Sequence, residues 1–292
     1  MRLRNISLFN ICNYAMLIAL TFICFYPFYY IAIYSISDPV QALKGIVFVP
    51  REFTLVNYEK IFRLNNLLDA FTVSVLRTIA GTLLTIVFSG LFAYIVTKDE
   101  LYFRKAIYRF LIITMYFEAG LIPWYLTMKW LGLQNTFMLY ILPTAVVAFY
   151  VVLMKTFIEQ LPQALEESAM IDGAGYFTVF FRIIMPLSLP IIATIAVFSA
   201  VQQWNTWLDN FFLVSRDELR TMQLILYEYL RQAQQIVSSS NLEDLNRGEA
   251  AKINPESIRI TITMVVTIPV MLVYPFLQRY FVKGIMLGAI KG

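Results

Sequence analysis

Histidine is absent from this 292-residue chain, and cysteine occurs only twice, at Cys12 and Cys24. The first absence removes histidine-based triads, histidine-ligated haem and most zinc sites. The second excludes a disulfide framework. Both cysteines lie in one apolar run, where a helix would set them about 120° apart around its axis. Charge is scarce as well: 14% of residues are Asp, Glu, Lys or Arg, against about 25% in soluble domains. A net charge of +4 is too small and too dispersed for a nucleic-acid surface. There is no G-x-x-x-x-G-K-[ST] phosphate loop, no G-x-S-x-G elbow and no metal-ligand spacing. The chain is therefore not expected to be an enzyme.

Apolar residues are what the chain has in excess: 59% of the sequence is hydrophobic, with 24 Phe, 18 Tyr and 4 Trp. Six runs, 11–34, 70–97, 106–128, 136–158, 183–204 and 258–281, are long enough to cross a bilayer. A helical span needs about 20 residues to cover about 30 Å of hydrocarbon. The pattern predicts an all-α polytopic protein, with one transmembrane domain of six helices over residues 1–292. No small-x-small cleavage site follows Tyr34, so the first run reads as a span and not as a signal peptide. Arg2 and Arg4, the Lys98, Arg104, Lys105 and Arg109 cluster, and Arg279, Lys283 and Lys291 all fall on one side of such a topology. Basic residues favour the cytoplasmic side, which predicts that both termini are cytoplasmic. Segment 159–182 would then be cytoplasmic and the long loop 205–257 would lie outside.

Segment 159–182 has the most structured pattern in the chain. Pro162 suits the start of a helix. Glu166 and Glu167 fall in its first turns, where the helix dipole favours anions. Leu165, Ser168, Ala169 and Asp172 follow helical spacing and share a small, mildly polar face. Gly173 and Gly175 end the helix, because glycine takes the left-handed cap conformation at little cost. The physics alone fits either an interfacial connector or a helix that slides into a groove on another protein.

The segment resembles the EAA loop of ABC importer permeases. That pattern is Glu-Ala-Ala, three residues, Gly, nine residues, then Ile-x-Leu-Pro. Here it falls on Glu167-Ser168-Ala169, Gly173, Ile183 and Met185-Pro186, with Ser168 and Met185 as conservative departures. The longer form, with Asp172-Gly173-Ala174 and Pro190, is similar to the carbohydrate branch of the family. The end of the chain, Tyr280 to Gly292, resembles the oligosaccharide and polysaccharide permeases of that branch, which include the alginate importer. The resemblance implies a multi-pass subunit of a bacterial cytoplasmic membrane, paired with a second, distinct permease. It implies two ATPase subunits that bind ATP and Mg, and an extracytoplasmic solute-binding protein. It also assigns ATPase coupling to Glu166, Glu167, Ser168, Ala169, Asp172 and Gly173, with Glu167 making a charge-assisted contact to a basic group. Substrate would pass by alternating access.

Candidates for the translocation path come from the few polar groups near the membrane. Glu118 reads equally as an interfacial carboxylate reaching water and as an acceptor for a sugar hydroxyl, beside Trp124. Arg77 is expected to snorkel to the surface, with an anionic sugar or Glu118 as the alternative partner. The run holding Trp204, Asn205, Trp207 and Asp209 supplies both aromatic faces and amide or carboxylate groups, as a sugar site requires. It reads equally as an interfacial aromatic belt. A secondary transporter or channel subunit is the rival class. It would show coupling carboxylates, inverted repeats or a pore ring, and none is visible.

Overall fold

The computed structural model describes residues 8–42, 44–45, 48–63, 67–239 and 255–289. Arg2, Arg4, Lys291 and the 240–254 part of the expected outer loop lie outside the described residues. Every regular element among the described residues is a helix. The helices include α1 (Leu8–Ser35), α2 (Leu67–Ile95), α3 (Arg104–Thr114), α4 (Leu121–Trp130), α5 (Ala148–Ile158), α6 (Ala164–Ile171), α7 (Leu189–Asn205), α8 (Met222–Ser239) and α9 (Pro255–Ala289). Contacts divide the chain into one unit of Met1–Leu67 with Leu226–Ile268, and a second of Leu68–Ile225 with Pro269–Gly292.

In the first unit, Ile33, Tyr34 and Ala42 are buried with Ile260. The buried Asn57 amide donates to the carbonyls of Ser35 (3.1 Å) and Ser37 (2.9 Å), which closes the turn after α1. Most of α1 is exposed apolar surface, as expected of a helix bathed in lipid.

The second unit is built around α2. Its core joins Ala93 and Tyr94 of α2 to Val151 and Met154 of α5, with Phe180, Ile184 and Ile195. In lipid, helices gain little from burying apolar surface against each other, so small residues that allow close approach matter more. Gly81 and Gly90 supply them on α2. A Cβ on Gly81 would sit 2.4 Å from the Gln203 amide nitrogen, and one on Gly90 would sit 2.8 Å from the Met154 methyl.

Three helices are continuous and apolar enough to cross a membrane among the described residues: Leu8–Ser35, Leu67–Ile95 and Glu256–Val273. The other three expected spans are interrupted, which corrects their reading as single helices. Run 106–128 breaks at 115–120, where Gly120 takes φ +80°. Run 136–158 is a single turn, Met138–Ile141, and then α5, with a gap at 142–147. Pro143 lies in that gap and has no N–H to continue a helix. Run 183–204 bends by 83° between Tyr176–Leu187 and α7, with Pro190 in the first turn of α7.

Irregular backbone inside a membrane must find partners within the protein. The 142–147 gap finds them on α2. Thr85 Oγ1 donates to the Thr144 carbonyl at 2.8 Å, and the Val147 N–H donates to Ser89 Oγ at 3.1 Å. Gln203 Nε2 donates to Thr144 Oγ1 at 2.7 Å. Gly81→Val would displace that glutamine, and overpacking of this kind costs about 1–3 kcal/mol. The thermal midpoint of the detergent-purified protein should fall measurably; an unchanged midpoint would show that the α2 contact is not tight.

Candidate functional site

The segment after α5 turns through Leu161-Pro162 into α6. The end of α6 is a complete Schellman cap. The Ala174 N–H donates to the Ala169 carbonyl (2.9 Å) and the Gly173 N–H to the Met170 carbonyl (3.0 Å). Gly173 sits at φ +86°, where side-chain-bearing residues are strained. Ala169 and Met170 pack on the core of the second unit. Leu165, Glu167, Ser168, Ile171 and Asp172 are exposed, and Ile171 is 86% exposed. The four-residue face expected from spacing is thus divided: Leu165, Ser168 and Asp172 are exposed and Ala169 is tucked against the core. After the cap, Tyr176 and Phe177 are exposed, and a π-helical turn at Phe180–Ile184 leads toward the 83° bend. Burying a side chain such as Ile171 or Phe177 under a partner is worth about 1.5–3 kcal/mol.

Glu166 does not join the exposed set. Its Oε1 accepts from Tyr94 Oη at 2.7 Å and from Lys98 Nζ, and the Lys98 ammonium lies 4.1 Å from the centre of the Tyr94 ring.

A second polar cluster lies near the other end of α2. Arg77 is 2% exposed. Its guanidinium forks onto Asp209, Nη1 to Oδ1 at 3.1 Å and Nη2 to Oδ2 at 2.5 Å. Nε donates to Gln203 Oε1 at 3.0 Å and Nη1 to the Thr206 carbonyl at 3.1 Å. The Tyr140 ring covers the cation at 4.6 Å. Asn210 extends the network: its Nδ2 donates to Tyr140 Oη (2.5 Å) and its Oδ1 accepts from the Thr221 N–H (3.0 Å). Tyr140 Oη donates to the Leu219 carbonyl at 2.6 Å, and the Met222 N–H donates to Ser74 Oγ at 2.9 Å. Arg77 therefore does not snorkel, and its carboxylate partner is Asp209 and not Glu118.

Comparison with known proteins places this architecture. It superimposes on a crystal structure of a bacterial ABC transporter involved in the import of the acidic polysaccharide alginate, with TM-score 0.83 and 26% identity. The match covers 96% of this chain and 99% of that one. The polygalacturonan/rhamnogalacturonan transport system permease protein YtcP of Bacillus subtilis (strain 168) is 36% identical over 287 residues, covering 98% of this chain and 99% of the relative. The chain belongs to the carbohydrate ABC transporter permeases. Protein LplC of the same organism is 34% identical, covering 97% of this permease and 95% of the relative. The melibiose/raffinose/stachyose import permease protein MelC of that organism is 27% identical over 92% of both chains. No family model matches the chain. The permease is an integral membrane transport component and not an enzyme.

The permease holds its path candidates in different settings. Glu118 is exposed, in the non-helical break between α3 and α4. Trp124 is half-buried on α4, against the cluster of Met128, Leu139 and Tyr140. Trp204 is buried, edge-on to Phe71 at 6.1 Å, and borders an apolar cavity of about 260 Å³ with Ile79 and Val270. Asn205 is exposed and accepts from Gln223 at 3.0 Å. Trp207 is half-buried, with its ring 5.8 Å from that of Phe211. Asp209 is buried under Arg77. Sequence reading missed Ser74, Tyr140 and Thr221, and it took Gln203 and Asn210 only as members of the sugar-site run and not as partners of Arg77 and Thr221. The available signal was Arg77 itself, because a cation in an apolar run demands a nearby anion, and Asp209 stands in the polar run that follows span five.

Removing one member of a buried ion pair leaves an uncompensated charge and costs about 3–5 kcal/mol. Arg77→Met should therefore lower the thermal midpoint of the purified permease strongly. Arg77→Met with Asp209→Asn should recover part of that loss, because the unpaired charge is gone. Equal destabilisation in the single and double variants would contradict the assignment.

Proposed function

We propose that this permease is one of two permease subunits in an ATP-driven importer of acidic oligosaccharides, of the galacturonan or rhamnogalacturonan class. The observation that carries the reading is α6: a short helix ended by a glycine cap, with Leu165, Glu167, Ser168, Ile171 and Asp172 exposed on one side and a packed core on the other. This is a rigid handle with an apolar and acidic grip, as an ATPase subunit would need. The substrate class is supported by the relative that transports polygalacturonan/rhamnogalacturonan and by the alginate importer, because both carry acidic polysaccharides.

In this reading all six apolar segments cross the bilayer, the broken ones included, with both termini and α6 cytoplasmic. Two ATPase subunits hold ATP and Mg, one gripping this α6 and one the equivalent helix of a distinct second permease. Glu167 contacts a basic group of the ATPase. Closure of the ATPases moves the docked helices together and turns the path from inward-open to outward-open, as a rigid-body transition. A solute-binding protein delivers the oligosaccharide from outside. Glu118, Trp124, Asn205 and Trp207, which keep exposed surface, would meet the sugar. The buried Trp204 and Asp209 would hold that rim in place.

Purification in mild detergent, with co-purifying chains identified by mass spectrometry, tests the assembly. Recovery of a second permease and an ATPase is expected; a lone, folded chain would favour a secondary transporter or channel subunit. Gly173→Pro is expected to insert normally yet separate ATP hydrolysis from uptake, because proline fixes φ near about −65° and Gly173 requires +86°. Wild-type uptake by this variant would remove α6 from the coupling path.

A further inference from the structure

We propose that Glu166 is a positioning residue that ties the coupling helix to α2, and that α2 carries the movement across the membrane to the Arg77 network. This rests on the function proposed above. Family resemblance groups Glu166 with its neighbour Glu167, but the two side chains face different partners. Successive residues on a helix point about 100° apart. Glu167 is exposed, whereas Glu166 is turned inward, 18% exposed, onto a lysine that is itself 18% exposed. Oε1 of Glu166 accepts from both Lys98 Nζ and Tyr94 Oη, and the lysine lies over the tyrosine ring. An ATPase side chain would have to displace two donors to reach that oxygen.

Both donors belong to the end of α2. Tyr94 is in its last turn, and Lys98 continues the turn through its N–H to the Ile95 carbonyl at 3.1 Å. Helix α2 is suited to transmit displacement. It contains no proline, whereas α1 contains Pro27 and α9 contains Pro269 and Pro275. It also runs unbroken for about 25 Å between Arg77 and Tyr94 at about 1.5 Å per residue. At its other end Arg77 grips Asp209 and Gln203, and Ser74 accepts from the Met222 N–H. A shift of α6 therefore moves Lys98 and Tyr94, then α2, then the segment 203–222. Hydrogen-bond and salt-bridge networks joined by rigid helices can carry such coupling, and each contact named here is a hydrogen bond or an ion pair.

Charge exchange in the full transporter complex tests this. Glu166→Lys, Lys98→Glu, the double exchange and Glu166→Gln would be purified with their partner subunits. Complex composition, ATP hydrolysis and uptake of trigalacturonate into proteoliposomes would then be measured. The single exchanges should retain the ATPase subunits but lower the uptake per ATP hydrolysed about tenfold, within the usual range of coupling energies. The double exchange should recover it. Glu166→Gln keeps the shape and the Tyr94 hydrogen bond, so it reads the loss of the charge alone if Glu166→Lys does not fold. It should show a smaller defect of the same kind. Loss of the ATPase subunits from Glu166→Lys without recovery in the double exchange would make Glu166 a docking contact and overturn the proposal. Wild-type coupling in the single variants would overturn it as well. Failure of the unmodified chain to bring down any ATPase is a different result, and it contradicts the function proposed above.

Discussion

A guanidinium inside a bundle of apolar helices has no neutral form to fall back on. Arg77 keeps its charge and must find compensation within the protein. It does so with both oxygens of Asp209, the Gln203 amide, the Thr206 carbonyl and the face of Tyr140. These partners come from the end of α7, Thr206 just after it, the short helix Leu208–Leu213 and the single turn at Met138–Ile141. One buried cation thus fixes where two separate pieces of chain, residues 203–209 and Met138–Ile141, meet α2. Such a pair is a weak source of net stability, because desolvation offsets much of the attraction. Its effect here is placement: displaced by a small distance, the pair loses its fork geometry and leaves a charge uncompensated.

The same demand for internal partners explains the remaining irregular backbone. The gap at 142–147 leaves peptide groups outside any helix, and Thr85 and Ser89 meet the Thr144 carbonyl and the Val147 N–H. Ser74, Arg77, Gly81, Thr85 and Ser89 fall three or four residues apart, so they form one stripe along α2. Four polar side chains and one glycine lie on it, the former bonding to neighbours and Gly81 admitting Gln203 closely. Helix α2 is therefore both the scaffold and the polar partner of the second unit, and its far end holds the α6 helix through Tyr94 and Lys98.

Local signals were legible in the sequence and distant pairings were not. The spans over α1, α2 and the start of α9 followed from run length alone. The α6 helix and its glycine stop followed from Pro162, Glu166, Glu167 and Gly173, which are close neighbours in the chain. The interruption at 142–147 was hidden because that stretch stays apolar and only Pro143 marks it, whereas at 115–120 the marks were Glu118 and Gly120. Arg77 lies in the second span and Asp209 lies beyond the end of the fifth, so their pairing depended on a fold that no local pattern states. Glu166 and Glu167 look equivalent in sequence. Only the direction of each side chain on α6 separates the one that holds α2 from the one left exposed.

In the function proposed above, a displacement of the exposed α6 helix would reach the Arg77 network through the unbroken helix α2. The central claim is that ATP drives carbohydrate through this permease. The most direct measurement is uptake of labelled trigalacturonate into proteoliposomes holding the purified complex, with the solute-binding protein on one side and ATP on the other. Accumulation that requires ATP and stops with a non-hydrolysable analogue is the predicted result. Accumulation driven by an ion gradient without ATP would contradict the account.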